Sequence, residues 1–486
     1  MNNKIDNVKK ILALAFENHK KNNIELAESL YSKILKLDPN HVDTNYLLGT
    51  LLLQKKNYEK AIKLLNKVLQ INPSHVDAIH NLGFAHVEMG KLNEAKFFLD
   101  KVIKIDPNHA EAYYNLGNIY KNLGDLDSAE SSYKKCIEKK TNHAKAYNNL
   151  GNILKDQGKL NEAIRAYTTT INIQFNHARA YHNLGNTYKQ VGDFTKAKRC
   201  YESSYKYDPL NLETLFTLSE LDNKILDLNL KKQIKKILDS KKVSKKDYAY
   251  GNFIFAKYAR EQRNFESEFD YLLKGHESYF DSKKTMFNKG INYWLNDIEH
   301  NEELKKFDNL NNKKEKSEEN IRPIFIVGTP RCGSTLIEKV IASGKMKFPM
   351  GEETAVISKI MGQKILNKEN FYSNKKELKN EIIALYKKKN LIDKKYNFIF
   401  SDKSLDNFFF ISLIKYIFPL AKVIHCKRNL VSSITSIIKN NLGDVSWAHN
   451  PEHIFKFYDI YKKRIEYFKK IYPNFIYEIQ LEDFVN

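Results

Sequence analysis

The chain has 486 residues, 42% hydrophobic and 12% aromatic, which is long enough for about three domains and too apolar for a disordered chain. No apolar run reaches the roughly 18 residues of a membrane helix. The start, Met1-Asn2-Asn3-Lys4-Ile5-Asp6, lacks a signal core and a cleavage site, so a cytoplasmic protein without a transmembrane segment is expected. The formal charge is +22, but the lysines are spread over every segment, as biased composition would leave them, and no nucleic-acid partner is expected. Arginine is more telling: only 9 of the 80 basic residues are Arg, the side chain suited to bidentate phosphate recognition. Cys136, Cys200, Cys332 and Cys426 have no CxxC or metal-ligand spacing, so reduced structural thiols and no metal site are expected.

From the N-terminus, a unit opened by His41, His75, His109, His143 and His177 recurs every 34 residues. Leu-Gly pairs follow in phase (Leu48-Gly49, Leu82-Gly83, Leu116-Gly117, Leu150-Gly151, Leu184-Gly185), then Ala61, Ala95, Ala129, Ala163 and Ala197. Gly and Ala at these places let two antiparallel helices approach closely. Pro39, Pro73, Pro107 and Pro209 end the second helix of their units, since proline cannot continue the hydrogen-bond ladder. The pattern resembles the tetratricopeptide repeat. With a degenerate unit around Ala27, about six units are expected over 1–210, stacked as an α-solenoid with a shared core. The repeated histidine reads as a turn residue, because copies 34 apart lie on separate units.

Asn81, Asn115, Asn149 and Asn183 hold one place in four consecutive repeats. In the repeat geometry that place faces the concave groove, where amides can donate to and accept from a peptide backbone. The ladder resembles the groove of the protein O-GlcNAc transferases, which implies a protein or peptide partner; the alternative is a polar surface position duplicated with the repeat.

Between 211 and 310 the period fades and a degenerate, repeat-like helical region is expected, with helices over Tyr248–Tyr258, Phe265–Tyr279 and Phe287–Ile298. The charged stretch from Asn311 to Asn320 reads as a linker ending at 322. At Pro323 the pattern changes to strand, glycine-bearing turn and helix: Ile324-Phe325-Ile326-Val327, then Gly328-Thr329-Pro330-Arg331-Cys332-Gly333-Ser334-Thr335, then Leu336 to Ala342. Such a turn cradles phosphate on backbone amides at a helix N-terminus. The GxxxxG spacing is that of a Walker loop, but Ser334 stands where that loop needs Lys, so a kinase is disfavoured.

Pro330 to Leu336 resembles the 5′-phosphosulfate loop (PRSGTTL) of the sulfotransferases that use PAPS, 3′-phosphoadenylyl sulfate. The resemblance implies an α/β, P-loop-like sulfotransferase domain over 323–486, with the donor held by Arg331, Cys332, Gly333, Ser334, Thr335 and Leu336. Gly351-Glu352-Glu353-Thr354-Ala355 is similar to the GEETR stretch of protein-tyrosine sulfotransferases, which makes Glu353 the general base; the wider bacterial pattern favours Glu352. The family's arginine after GEET is Ala355 here. Asp402-Lys403 aligns with a pair whose lysine sits beside the leaving oxygens, so Lys403 and Arg331 are the expected stabilisers of transition-state charge. Ala421 to Cys426 reads as a strand leading to Arg428, and the resemblance assigns the donor's 3′-phosphate to Arg428 and Ser436. The last segment, Ile479 to Asn486, matches the family's YEDLV strand, after which further helices are usual; a domain truncated at its C-terminus is expected. The implied activity is sulfuryl transfer from PAPS to an acceptor hydroxyl, with protein tyrosine as the leading acceptor. A carbohydrate or small-molecule acceptor, or a repeat scaffold carrying an inactive domain, are the alternatives.

Overall fold

The computed structural model describes residues 2–240, 243–310, 321–344, 348–351, 353–392 and 398–484. The expected linker stretch 311–320 and the candidate base Glu352 lie outside the described residues. The chain divides into two compact units, Met1–Asp222 and Asn223–Asn486.

The first unit is a run of helical hairpins, from Asn2–Lys20 with Ile24–Leu37 to Ala178–Val191 with Phe194–Tyr207, followed by the single helix Leu212–Leu221. Six hairpins are present among the described residues, and they form the expected solenoid. The packing rule is legible in one place per repeat. A large side chain on the second helix (Tyr31, Leu65, Leu99, Tyr133, Tyr167, Tyr201) is wholly buried, and from the second repeat on it lies over the Leu-Gly glycine of the first helix. A Cβ added to Gly117 would stand 2.6 Å from the Tyr133 ring. The repeated histidines are helix N-caps. The Nδ1 atoms of His41, His75, His109, His143 and His177 accept from the amides of Thr44, Ala78, Ala112, Ala146 and Ala180 at 3.1–3.3 Å, doing with imidazole what Ser or Asp usually does. The rings also pack between units, tilted by 31–38°: Tyr46 on His75, His80 on His109 and Tyr114 on His143, at 5.0, 4.8 and 4.9 Å between centroids.

The second unit holds a four-stranded parallel sheet in the order β2-β1-β3-β4, with β1 Ile324–Gly328, β2 Ser401–Asp402, β3 Lys422–Lys427 and β4 Ile476–Gln480. The C-terminal segment expected to be strand turns at Gln480 into a 3-10 turn over Leu481–Phe484. The helices ahead of the sheet, Lys245–Glu261, Phe265–Ser282 and Lys284–Asn292, are built into this unit. His276 contacts the Ile438 carbonyl at 2.7 Å and His449 at 3.0 Å, and Phe307 packs on Phe371, Tyr372 and Tyr416. The region expected to be a separate stretch, 211–310, is thus split: Leu212–Leu221 goes with the solenoid and everything from Asn223 with the sheet.

Candidate functional site

Sheet order decides where the site lies. From β1 the chain leaves toward β2, and from β3 it leaves toward β4, on the other side. The crevice beyond the carboxyl ends of β1 and β3 is therefore the switch point at which open parallel sheets bind ligands. Gly328 and Cys426 are paired there, so the loop after β1 and the loop after β3 converge although almost a hundred residues separate them.

The β1 loop is shaped by two left-handed residues, Arg331 at φ 69° and Gly333 at φ 87°. Gly333 caps the Ser334–Ala342 helix. The amides of Cys332 and Leu336 bond to Thr329 and Gly333 carbonyls, while Gly333 and Thr335 line a cavity of about 740 Å³. Arg331 Nε donates to Ser436 Oγ at 3.3 Å, and Arg428 Nη1 donates to the Arg331 carbonyl at 2.9 Å. Three of the predicted anion-binding residues thus form one connected group. Two others sit differently. Cys332 is wholly buried, packed with Ile326, Ile337 and Cys426 under the loop, and the Leu336 side chain is 43% exposed and away from the cavity wall. Each follows from the loop's geometry: the turn that sends Arg331 outward sends Cys332 into the core. The two thiols expected to be scattered are neighbours here. A hydrogen bond between them holds Cys332 below the ordinary thiol range and Cys426 above it.

The 350–355 segment is pinned to β2. Gly351 donates to the Ser401 carbonyl at 2.9 Å, and a Cβ at that position would lie 2.1 Å from the same oxygen, so only glycine fits. Asp402 is buried and accepts from Thr354 Oγ1 at 2.6 Å, from the Ser404 amide at 2.8 Å, and from the Tyr386 hydroxyl; burial and Asp402 push that hydroxyl well above the usual phenol range. This network aims the next residue. Lys403 Nζ donates to Thr335 Oγ1 at 3.1 Å and lies 3.6 Å from Glu353 Oε1. The lysine is 8% exposed and the glutamate 68%, so a nearly buried cation reaches from the anion loop to a carboxylate open to the cavity. Glu353, Arg331, Ser334, Thr335 and Arg428 all line that cavity.

Motif matching missed Asp406, Trp294 and Trp447, which line the same cavity. Burial, with Asp402 and Glu353 nearby, pushes Asp406 up to about 6. Asn429 caps the Leu430–Lys439 helix, accepting from the Ser432 amide at 3.1 Å.

In the solenoid, the asparagine ladder is partly buried and sewn to the preceding repeat. Asn81 donates to Thr50 Oγ1 at 3.1 Å, and Asn115 Nδ2 lies 3.0 Å from His80 Nε2. Asn149 donates to Asn118 at 3.0 Å and Asn183 to Asn152 at 3.1 Å. Asn118 and Asn152 also accept from Tyr133 and Tyr167. These amides bond one repeat to the next, a role the periodicity alone did not reveal.

Residues 323–486 match the Sulfotransferase family. Tetratricopeptide repeat families match 19–83, 52–119, 110–142 and 142–209. An uncharacterized protein of Aquifex aeolicus (strain VF5) is 26% identical over 268 residues, covering 51% of this chain and 34% of that protein, so the chain spans about a third of that relative's length. Among solved structures, MamA is 28% identical at a TM-score of 0.32, over 34% of this chain and 97% of its own. YrrB, described as a TPR protein with an unusual peptide-binding site, is 21% identical at a TM-score of 0.33, over 38% of this chain and 96% of its own. No helix among the described residues is long and apolar enough to cross a membrane.

Proposed function

We propose that this chain, whose residues 323–486 match the Sulfotransferase family and whose earlier part matches tetratricopeptide repeats, moves a sulfuryl group from PAPS to an acceptor hydroxyl. One observation carries the reading: the loops after β1 and β3 meet at the switch point with Arg331, Thr335 and Arg428 on one cavity that Glu353 also lines, and Lys403, just after β2, lies between Thr335 and Glu353.

In this reading Arg331, with the Gly333 and Thr335 amides, holds the donor's phosphosulfate end, and Arg428 with Ser436 its 3′-phosphate. Glu353 takes the proton of the acceptor hydroxyl as the new O–S bond forms and the bond from sulfur to the phosphate oxygen breaks. Lys403 is fixed beside Thr335 and supplies positive charge where the leaving oxygen gains negative charge, the arrangement that stabilises a loose, in-line transition state more than the ground state. A phenol with a pKa near 10, or an alcohol, must lose its proton to such a base at neutral pH, and tyrosine is the leading acceptor by the likeness of the 351–354 segment to that of the protein-tyrosine sulfotransferases. The solenoid binds a protein partner or acceptor, with Asn81, Asn115, Asn149 and Asn183 offering it amides whose donor side already holds the repeats together.

The test separates base from binder. Glu353→Gln is expected to lower turnover by about 10² or more while calorimetric affinity for PAP, the desulfated donor, stays at the wild-type value. Unchanged turnover would remove Glu353 from the chemistry, and loss of PAP binding would make it a donor ligand instead.

A further inference from the structure

The chain's two tryptophans, Trp294 and Trp447, line the same cavity. Trp447 belongs to a 3-10 turn inside the family-matched region. Trp294 comes from outside it, on a π-helical turn over Tyr293–Asp297 that follows the Lys284–Asn292 helix. A π-turn gives up regular hydrogen bonding to re-aim a side chain and is often found at functional sites. Here Tyr293 and Leu295 on either side are buried at 8% and 1% exposure, while Trp294 is partly exposed, with its ring 5.7 Å from Phe409. Trp447 is backed by Phe457, stacked at 3.7 Å and 10°, so the aromatic wall is stiff.

Leu405, Leu442 and Val445 extend the apolar part of that wall. A flat apolar ring fits against a wall of this kind. Outside the donor arginines, the charged residues on the cavity are Glu353, Asp406 and Asp444. Lys403 faces Glu353 and Lys283 faces Asp444 at 3.2 Å, and Asp402 and Glu353 lie near Asp406. A negatively charged acceptor would be repelled.

Building on the sulfuryl-transfer reading, we propose that Trp294 is the acceptor-positioning residue, and that with Trp447 it holds the flat ring of a hydroxyl acceptor carrying no negative charge. The segment ahead of the family-matched domain is then part of the acceptor site, and acidic peptides are disfavoured as acceptors.

Tryptophan emission from this chain reports on the cavity alone, which gives a test without turnover. 2-Naphthol and 2-naphthoate serve as probes, being alike in ring and unlike in charge. 2-Naphthol is expected to quench the wild type and Trp447→Phe, whose emission comes from Trp294. Trp294→Leu should weaken 2-naphthol by about tenfold, and Trp294→Phe should recover most of the loss, as the scale of aromatic contacts implies. 2-Naphthoate should bind about tenfold more weakly than 2-naphthol, or worse, at neutral pH. Equal affinities for the two probes, or a Trp294→Leu variant that binds like wild type, overturn the proposal. Calorimetry with PAP on the same samples reads the donor site separately. PAP binding without 2-naphthol binding removes the acceptor wall and leaves the donor reading. 2-Naphthol binding without PAP binding removes the sulfuryl-transfer reading, and with it the acceptor role of Trp294.

Discussion

Arg331 occupies the left-handed region at φ 69°, where a residue with a Cβ is strained by about 1–2 kcal/mol. Ala355, at the end of the GEET-like segment, is left-handed too, at φ 50°. Strain of this kind persists where the surroundings over-determine it, and it clusters at ligand-binding loops. Arg331 accepts it because its guanidinium reaches Ser436 while its carbonyl takes Arg428. Backbone and side chain can be separated by one substitution. Arg331→Gly relieves the left-handed strain, so the melting temperature should hold or rise. Affinity for PAP should fall by about 1.5–3 kcal/mol, the range for hydrogen bonds to charged groups. A glycine variant that binds PAP as tightly as wild type would show that the guanidinium is not a donor ligand, and a large drop in melting temperature would show that its bonds matter more to folding than the strain does.

At the scale of elements, the solenoid makes a graded prediction. A Cβ at Gly83 meets Leu99 at 3.0 Å, whereas one at Gly117 meets the Tyr133 ring at 2.6 Å. Both side chains are wholly buried, but the leucine contact is a few tenths of an ångström from ordinary, while the Tyr133 ring is rigid and its hydroxyl is tied to Asn118 at 2.8 Å. Gly117→Ala should therefore cost about 1–3 kcal/mol by overpacking, and Gly83→Ala clearly less, as read by urea melts; the opposite order would mean the Tyr-bearing repeats are the looser ones. The 34-residue period made this architecture readable, because each repeat restates the same contact. It did not reveal that the histidines are N-caps or that the asparagines bond repeat to repeat, since both depend on side-chain direction. The strand-loop-helix elements of the second unit were readable for the opposite reason: Arg331, Lys403 and Arg428 sit in local patterns. Trp294 and Asp406 were not readable. No spacing ties them to the loops they meet, and the helices that carry the first are joined to the sheet by pairs such as His276 and His449, 173 residues apart.

The whole molecule shares one acid-sensitive feature: histidines held neutral in both units. Burial lowers His86 and His177 in the first unit, and burial together with His109 takes His80 to about 4. In the second unit burial lowers His276, His425 and His453, and burial with His276 takes His449 to about 3. A depressed histidine supports the native state fully above its unfolded midpoint of about 6.5, and that support is lost as pH falls toward the folded value, because the unfolded chain binds the proton first. For His80 and His449, held near 4 and 3, the cost two pH units below that midpoint is about 3 kcal/mol each, a large part of an ordinary 5–15 kcal/mol stability. The paired carboxylates act elsewhere on the scale. Against the opposing effect of burial, Lys134 and Lys159 hold Glu130 at about 2, and Lys469 and His425 do the same for Glu478, so their contribution fades only below the usual carboxylate midpoint. Burial raises Asp406 to about 6 and also raises Asp308; these oppose the histidines over the same range but are fewer. The melting temperature should accordingly drop between pH 7.5 and 5.0. His80→Tyr is the discriminating variant, because the equivalent places in neighbouring repeats already hold Tyr46 and Tyr114, the latter packed on His143 at 4.9 Å. That variant should keep the ring contact with His109 and lose less of its melting temperature across the same interval, and a pH dependence identical to wild type would show that His80 is already protonated in the native state at pH 5.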